Sequence, residues 1–277
     1  LKTLFFRFFY FIISLEKVES MGKCIVVANQ KGGVGKTTTV INVSHYIAMQ
    51  GYKVLMVDID PQGNLGSGIG IELSQSRKGT YEALINQEDP NNVIIPTKYD
   101  NLFILPANLQ LAGAQVELLN LEDKEKRLKK FLDETKDYFD FIFIDTPPSL
   151  GILTINGLAA ADTVLIPLQA EFFALEGLIQ LLKTIKAVQK SLNTSLKIEG
   201  LLLTMYDIRT KLSRDVAEEV KKFFKDKVYN TFIPRNVRLS EAPSYGKSIF
   251  DYDPTCPGAI AYQKVSEEIL DDAKRTR

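Results

Sequence analysis

The sequence predicts an α/β fold: a single doubly wound, mostly parallel sheet flanked by helices. Three observations carry that expectation. Short apolar runs rich in β-branched and aromatic residues alternate with amphipathic stretches from residue 23 onward, polar turn-forming loops follow several of those runs, and no repeat, low-complexity tract or Pro/Gly/Ser linker breaks the alternation. With 277 residues, 45% hydrophobic and 25% charged, the chain has enough apolar material for one well-buried domain.

Residues 1–20 stand apart from this pattern. Their run of about a dozen mostly apolar residues is interrupted by Arg7, is too short to span a bilayer and lacks a small-residue cleavage site. They are expected to be a non-native or disordered extension, with the folded domain running from 21 to 277. From there the expected strands are 25–28, 54–57, 102–105, 141–144, 164–167, 200–204 and 228–232. Helical periodicity marks 37–50, 109–120, 124–136, 154–161, 175–191, 213–225 and 257–273. Gly51 stands where a helix C-terminal cap belongs.

Several function classes are excluded by composition. Cys24 and Cys256 are the only cysteines and form no C-x-x-C pair, which argues against a disulfide framework or a cysteine-held cluster and fits a reduced cytoplasm. The single histidine, His45, lies in a helical pattern, so zinc sites and Ser/Cys-His catalysis lack material. The net charge is zero, so any nucleic-acid binding must come from a local patch.

The chemistry concentrates in three loops, "DIDPQGNLGSGIG" at 58–70, "DTPPSLG" at 145–151 and "PRNVRLSEAPSYGKS" at 234–248, and in "QKGGVGKTT" at 30–38. That last stretch nearly fits G-x-x-x-x-G-K-[ST] but has Gln30 where the pattern wants glycine. Gly32, Gly33 and Gly35 let the backbone N–H groups around Val34 curl inward, and the helix that follows offers its positive end to the same place, with Thr38 in its first turn. This is an anion nest for nucleotide phosphates. Lys36 is expected to reach the β- and γ-phosphates and Thr37 to ligate Mg²⁺. Strand-end acids should complete the site: Asp58 and Asp60 close the second strand near the same phosphates, Asp145 is expected to hold Mg²⁺ through a water, and Asp60, near the metal, to orient the water that attacks ATP.

Taken together, "KGGVGKTT", "VDIDPQGN", "FIFIDTPPSLG" and "IPRNVRLSEAPSYGKS" resemble the ParA (Soj) branch of the deviant Walker-A partitioning ATPases, over essentially residue 21 to the C-terminus. The resemblance implies a P-loop ATPase that dimerises around ATP and binds double-stranded DNA nonspecifically near the nucleoid. It implies a ParB-type centromere-binding partner and no stable membrane attachment. It makes Lys31 the extra lysine that reaches the partner subunit's phosphates, and Asp60 the hydrolytic carboxylate. Pro234 and Asn236, with Met205 nearby, would frame adenine, and Arg209 and Arg238 would contact DNA. Residues 183–247 carry 14 Lys+Arg against 7 Asp+Glu, a basic segment consistent with that role. The competing expectation is a MinD-like membrane-associated ATPase. That would need a basic amphipathic C-terminus, whereas this chain ends "VSEEILDDAKRTR".

Overall fold

In a computed structural model, which describes residues 22–71, 78–171 and 174–276, seven strands form one sheet in the order β3-β4-β2-β5-β1-β6-β7. They are β1 (Lys23–Val27), β2 (Val54–Asp58), β3 (Ile95–Pro96), β4 (Leu102–Leu105), β5 (Phe141–Asp145), β6 (Thr163–Gln169) and β7 (Lys197–Thr204). All pair in parallel except the two-residue edge strand β3, which runs antiparallel to β4. The extension expected at residues 1–20 lies outside the described residues.

The helices are α1 (Lys36–Met49), α2 (Asn64–Gly68), α3 (Thr80–Ile85), α4 (Pro90–Val93), α5 (Leu111–Leu118), α6 (Arg127–Asp133), α7 (Ile152–Ala160), α8 (Ala174–Ser191), α9 (Lys211–Phe224), α10 (Val237–Glu241), α11 (Ile249–Tyr252) and α12 (Pro257–Thr276). The sheet is covered on both faces because its strands are apolar on both faces, and every residue of β2 and β5 is buried. On one side Val26, Val57, Ile144 and Ile166 meet α3 and α5 to α9. On the other, Ile25, Met56, Phe143 and Leu165 meet α1 and α12.

One expected strand is absent. Residues 228–232 run beside β7 with one isolated bridge, Leu201 to Val228, and one backbone hydrogen bond, from the Tyr229 N–H to Leu201 O (3.0 Å), while a second bridge joins Tyr206 to Pro234 just beyond both segments. Their alternation of apolar and polar residues is satisfied otherwise. Tyr229 and Ile233 are buried against the α12 side of the sheet, while Glu268 of α12 accepts hydrogen bonds from the backbone N–H groups of Asn230 (2.9 Å) and Thr231 (3.0 Å). At Asn230 and Thr231 a side chain thus takes the place of a ladder partner. The loop at 234–248 therefore follows a strapped coil, not a strand.

That loop is anchored to α1 through its last residues. Asn42 Oδ1 accepts from the Ile249 N–H (2.8 Å), and His45 Nδ1 lies 2.5 Å from the Ser248 hydroxyl, its ring stacked on Tyr99 at 3.8 Å. Farther up the loop, Gly246 meets Gly70 backbone to backbone. A Cβ on Gly246 would stand 2.6 Å from the Gly70 Cα, so that position has no room for a side chain, and both residues have positive φ (63° and 83°), which favours glycine at each.

Burial pushes the His45 imidazole down to about 4, against the opposing pull of Asp251. The folded chain therefore prefers the neutral ring. Its contribution to stability is complete above the unfolded value of about 6.5 and is lost as pH falls toward 4. Urea unfolding at pH 7.5 and pH 5 should show the wild type losing about 2 kcal/mol more than His45→Gln over that interval.

Candidate functional site

The site is built on the end of β1, which is flanked by β5 and β6 so that the loop leaving it emerges at the carboxyl edge of the sheet. Asn29, buried, is the first fixture: its Nδ2 donates to Pro167 O on β6 (2.7 Å) and its Oδ1 accepts from the Lys31 N–H (3.0 Å). The loop is pinned again at its far end, where the Thr204 hydroxyl at the tip of β7 donates to Val34 O (2.8 Å). Gly35, at φ 87°, then turns the chain into α1 from a left-handed conformation that disfavours other residues. No side chain caps this 14-residue helix, so its first N–H groups face the loop unclaimed.

These features open onto a cleft of about 420 Å³ lined by the P-loop residues Gly32, Gly33, Gly35, Lys36, Thr37 and Thr38. Asp60, Gln62 and Asn64 supply polar groups to it, and Pro148, Met205 and Pro243 add apolar surface. Lys36 is buried, and its Nζ donates to Lys31 O (3.3 Å). Burial lowers its pKa while the carboxylates of Asp145 and Asp60 pull the other way. Val34 is buried beneath the loop.

The two acids of "DID" separate into different jobs. Asp58 is fully buried and accepts from the N–H groups of Asp60 (3.1 Å) and Leu65 (3.2 Å), so it shapes the turn. Asp60 lines the cleft, with Oδ1 accepting from Gln62 N (3.0 Å). Register places Asp58 beside Asp145 on β5, and burial drives the Asp58 carboxyl well above its usual range. Asp145 Oδ2 accepts from the Thr37 hydroxyl at 2.6 Å, while its Oδ1 is buried with no hydrogen-bond partner among the described residues. Burial raises this carboxyl to about 7, opposed by Thr37 and Lys36.

An orphaned carboxylate oxygen beside a hydroxyl is a donor set of hard oxygens, which fits Mg²⁺. Among the described residues no group of three or more His, Cys, Asp or Glu side chains could hold a metal, so such an ion needs phosphate and water to complete its shell.

The remaining expected residues are less closely gathered. Met205 reaches the cleft from a left-handed backbone conformation (φ 50°) at the end of β7. Pro234 is bridged to the neighbouring Tyr206, but neither it nor Asn236 lines the cleft, and Asn236 caps α10 by accepting from Arg238 N (2.9 Å). Pro243, which the sequence did not single out, lines the cleft instead. Arg209 is exposed and paired with Asp207 (2.7 Å), and Arg238 with Glu241 (2.9 Å) and Asp253 (3.5 Å). Lys31 lies outside the cleft lining, its Nζ 2.8 Å from Glu171.

The profile of the family described as "AAA domain" matches residues 22–198. Chromosome-partitioning ATPase Soj of Treponema pallidum is 55% identical over 250 residues, covering 90% of this chain and 98% of that protein. The chain belongs to the Soj/ParA family of chromosome-partitioning ATPases. Sporulation initiation inhibitor protein Soj of Bacillus subtilis is likewise 55% identical, over 90% of this chain and 98% of its own length. Among solved structures, one described as cobyrinic acid a,c-diamide synthase from Mycobacterium smegmatis, with a bound ATP analog and magnesium, has a TM-score of 0.81 at 39% identity. It covers 92% of this chain and 97% of its own. Its described activity differs from that of the Soj relatives, whose identity to this chain is higher.

Asn29 and Thr204 were not singled out from sequence. A polar residue directly after an apolar strand run is the only signal Asn29 gives, and nothing local marks Thr204 as a partner for Val34. Because the Thr204 hydrogen bond holds the P-loop of this Soj/ParA chain in shape, Thr204→Val should weaken binding of a fluorescent ADP by about fivefold, the value of one buried hydrogen bond. Fluorescence titration measures it.

Proposed function

We propose that this Soj/ParA chain is an ATP-driven switch. It binds ATP with Mg²⁺ and hydrolyses it slowly. As an ATP-bound dimer it holds double-stranded DNA nonspecifically, in chromosome or plasmid segregation with a ParB-type partner. The supporting observation is the Thr37–Asp145 pair at the mouth of an uncapped helix, with the second Asp145 oxygen left for a cation's water. A Mg²⁺ bound there would neutralise charge on the phosphates and polarise them toward attack.

The chain's own residues supply the rest. The P-loop N–H groups and Lys36 receive the phosphates, and Thr37 and Asp145 hold the cation side of the site. Asp60 stands at the cleft with one oxygen tied to the Gln62 N–H, which fixes its carboxylate to orient a water in line with the terminal phosphate. Met205, with Pro234 and Asn236 behind it, is assigned to the adenine end. Lys31 is assigned to the phosphates of a second copy.

For DNA, Arg209, Arg238 and the exposed lysines of α9 offer sequence-independent contacts to phosphate. A location in the cytoplasm on the nucleoid follows from that reading. The membrane alternative finds little support. Two acids of α12 are engaged in the fold, Glu267 by the Tyr46 hydroxyl (2.8 Å) and Glu268 by the 230–231 backbone. No helix among the described residues is long and apolar enough to cross a membrane.

Asp60→Ala should bind ATP yet hydrolyse it at least about 100-fold more slowly, the loss expected when a positioned base is removed. Size-exclusion chromatography with ATP should then show a persistent dimer, and a chain that elutes only as monomer refutes the assignment. DNA binding should require ATP over ADP, fall steeply with salt, and lose about one unit of log–log salt slope for each phosphate contact removed in Arg238→Glu. A gel shift unchanged by that substitution refutes the arginine's role.

A further inference from the structure

The two lysines of the P-loop are in opposite situations. Lys36 lines the cleft, buried among the groups that would meet a nucleotide, whereas Lys31 is absent from the lining although Gly32, Gly33 and Gly35 are all part of it. The Lys31 ammonium donates instead to Glu171 Oε2 (2.8 Å) and Gln169 Oε1 (3.3 Å), at and just beyond the end of β6.

The acceptor pair is preassembled. Gln169 Nε2 donates to the other Glu171 oxygen (2.5 Å), and the Glu171 N–H donates to Gln169 O (2.8 Å), so the carboxylate is oriented by its own strand before the lysine arrives. The backbone of Lys31 is tied to the same strand, since its N–H donates to Asn29 Oδ1 and Asn29 donates to Pro167 O. Loop and ammonium are thus both moored on β6. Lys31 can reach anything else only by swinging its side chain away from Glu171.

We propose that Glu171, seated by Gln169, is a positioning residue that parks Lys31 on its own subunit and so sets the threshold at which the nucleotide-loaded chain pairs with a second copy. This rests on the reading above, in which Lys31 serves the partner's phosphates. A triphosphate presents several negative charges where Glu171 presents one, so the exchange runs forward only when a loaded partner is in place. Both side chains are partly exposed, Lys31 at 34% and Glu171 at 47%, so solvent screens the pair and keeps its effect modest. The barrier tunes dimerisation and does not forbid it.

The test is sedimentation of the full chain with ATP and Mg²⁺, comparing wild type, Glu171→Gln, Lys31→Ala and the double variant. Glu171→Gln should lower the concentration for half-dimerisation by about two- to fivefold, as expected for releasing an exposed ion pair. The gain should shrink as salt rises and the parked pair is screened. It should vanish when Lys31 is already alanine, because Glu171 acts through Lys31, a coupling that a merely structural carboxylate would not show. Before any dimer forms, acetic anhydride labelling read by mass spectrometry should find Lys31 more reactive in Glu171→Gln. A wild type that dimerises while Glu171→Gln dimerises equally or more weakly overturns the parking alone. A wild type that stays monomeric with ATP sinks the dimer reading and the threshold with it.

Discussion

Everything at the site depends on β1 lying between two parallel neighbours. A strand held on both sides and buried on both faces has no freedom of register, so the backbone that leaves it is delivered to a fixed point at the carboxyl edge. From that point β6 receives the loop through Asn29, β5 receives the start of α1 through Thr37 and Asp145, and β7 receives the turn through Thr204. Three strands therefore share the task of keeping an uncapped helix end and a run of glycine backbone in one shape. Such pre-organisation lowers the conformational cost that a flexible glycine loop would otherwise add to binding.

The parts legible in the sequence were those whose physics is local. Six parallel strands announced themselves as apolar runs because both faces are buried, and the P-loop and strand-end acids follow from short motifs. The missing pieces needed information from across the chain. Residues 228–232 have a strand's composition, and the Tyr229 N–H still reaches Leu201 O, but Glu268, some forty positions later, takes the N–H groups of Asn230 and Thr231. The short helices α2, α3, α4, α10 and α11 are too brief for periodicity to register. The motif "DID" singles out Asp60, and the fold adds why Asp58 does not share its role: Asp58 is occupied by backbone N–H groups, whereas Asp60 faces the cleft.

A common electrostatic pattern joins three cations that the proposed function gives to partners outside the chain. Lys31, Arg209 and Arg238 each rest on carboxylates of their own subunit: Glu171, Asp207, and Glu241 with Asp253. Each cation therefore sits beside a carboxylate that competes with any incoming phosphate for its charge. At exposed sites such exchanges are nearly balanced in free energy. That balance favours reversible engagement over permanent capture.

The contact between Gly70 and Gly246 carries a mechanical meaning. The segment that runs from Asp60 through α2 ends at one of these glycines, the segment that carries Arg238 ends at the other, and at this point the two meet backbone to backbone. Side chains cushion most loop contacts in proteins by hopping between rotamers, but here there is none to hop. At this point the cleft-lining segment and the arginine-bearing segment are therefore fitted like two plates without a gasket.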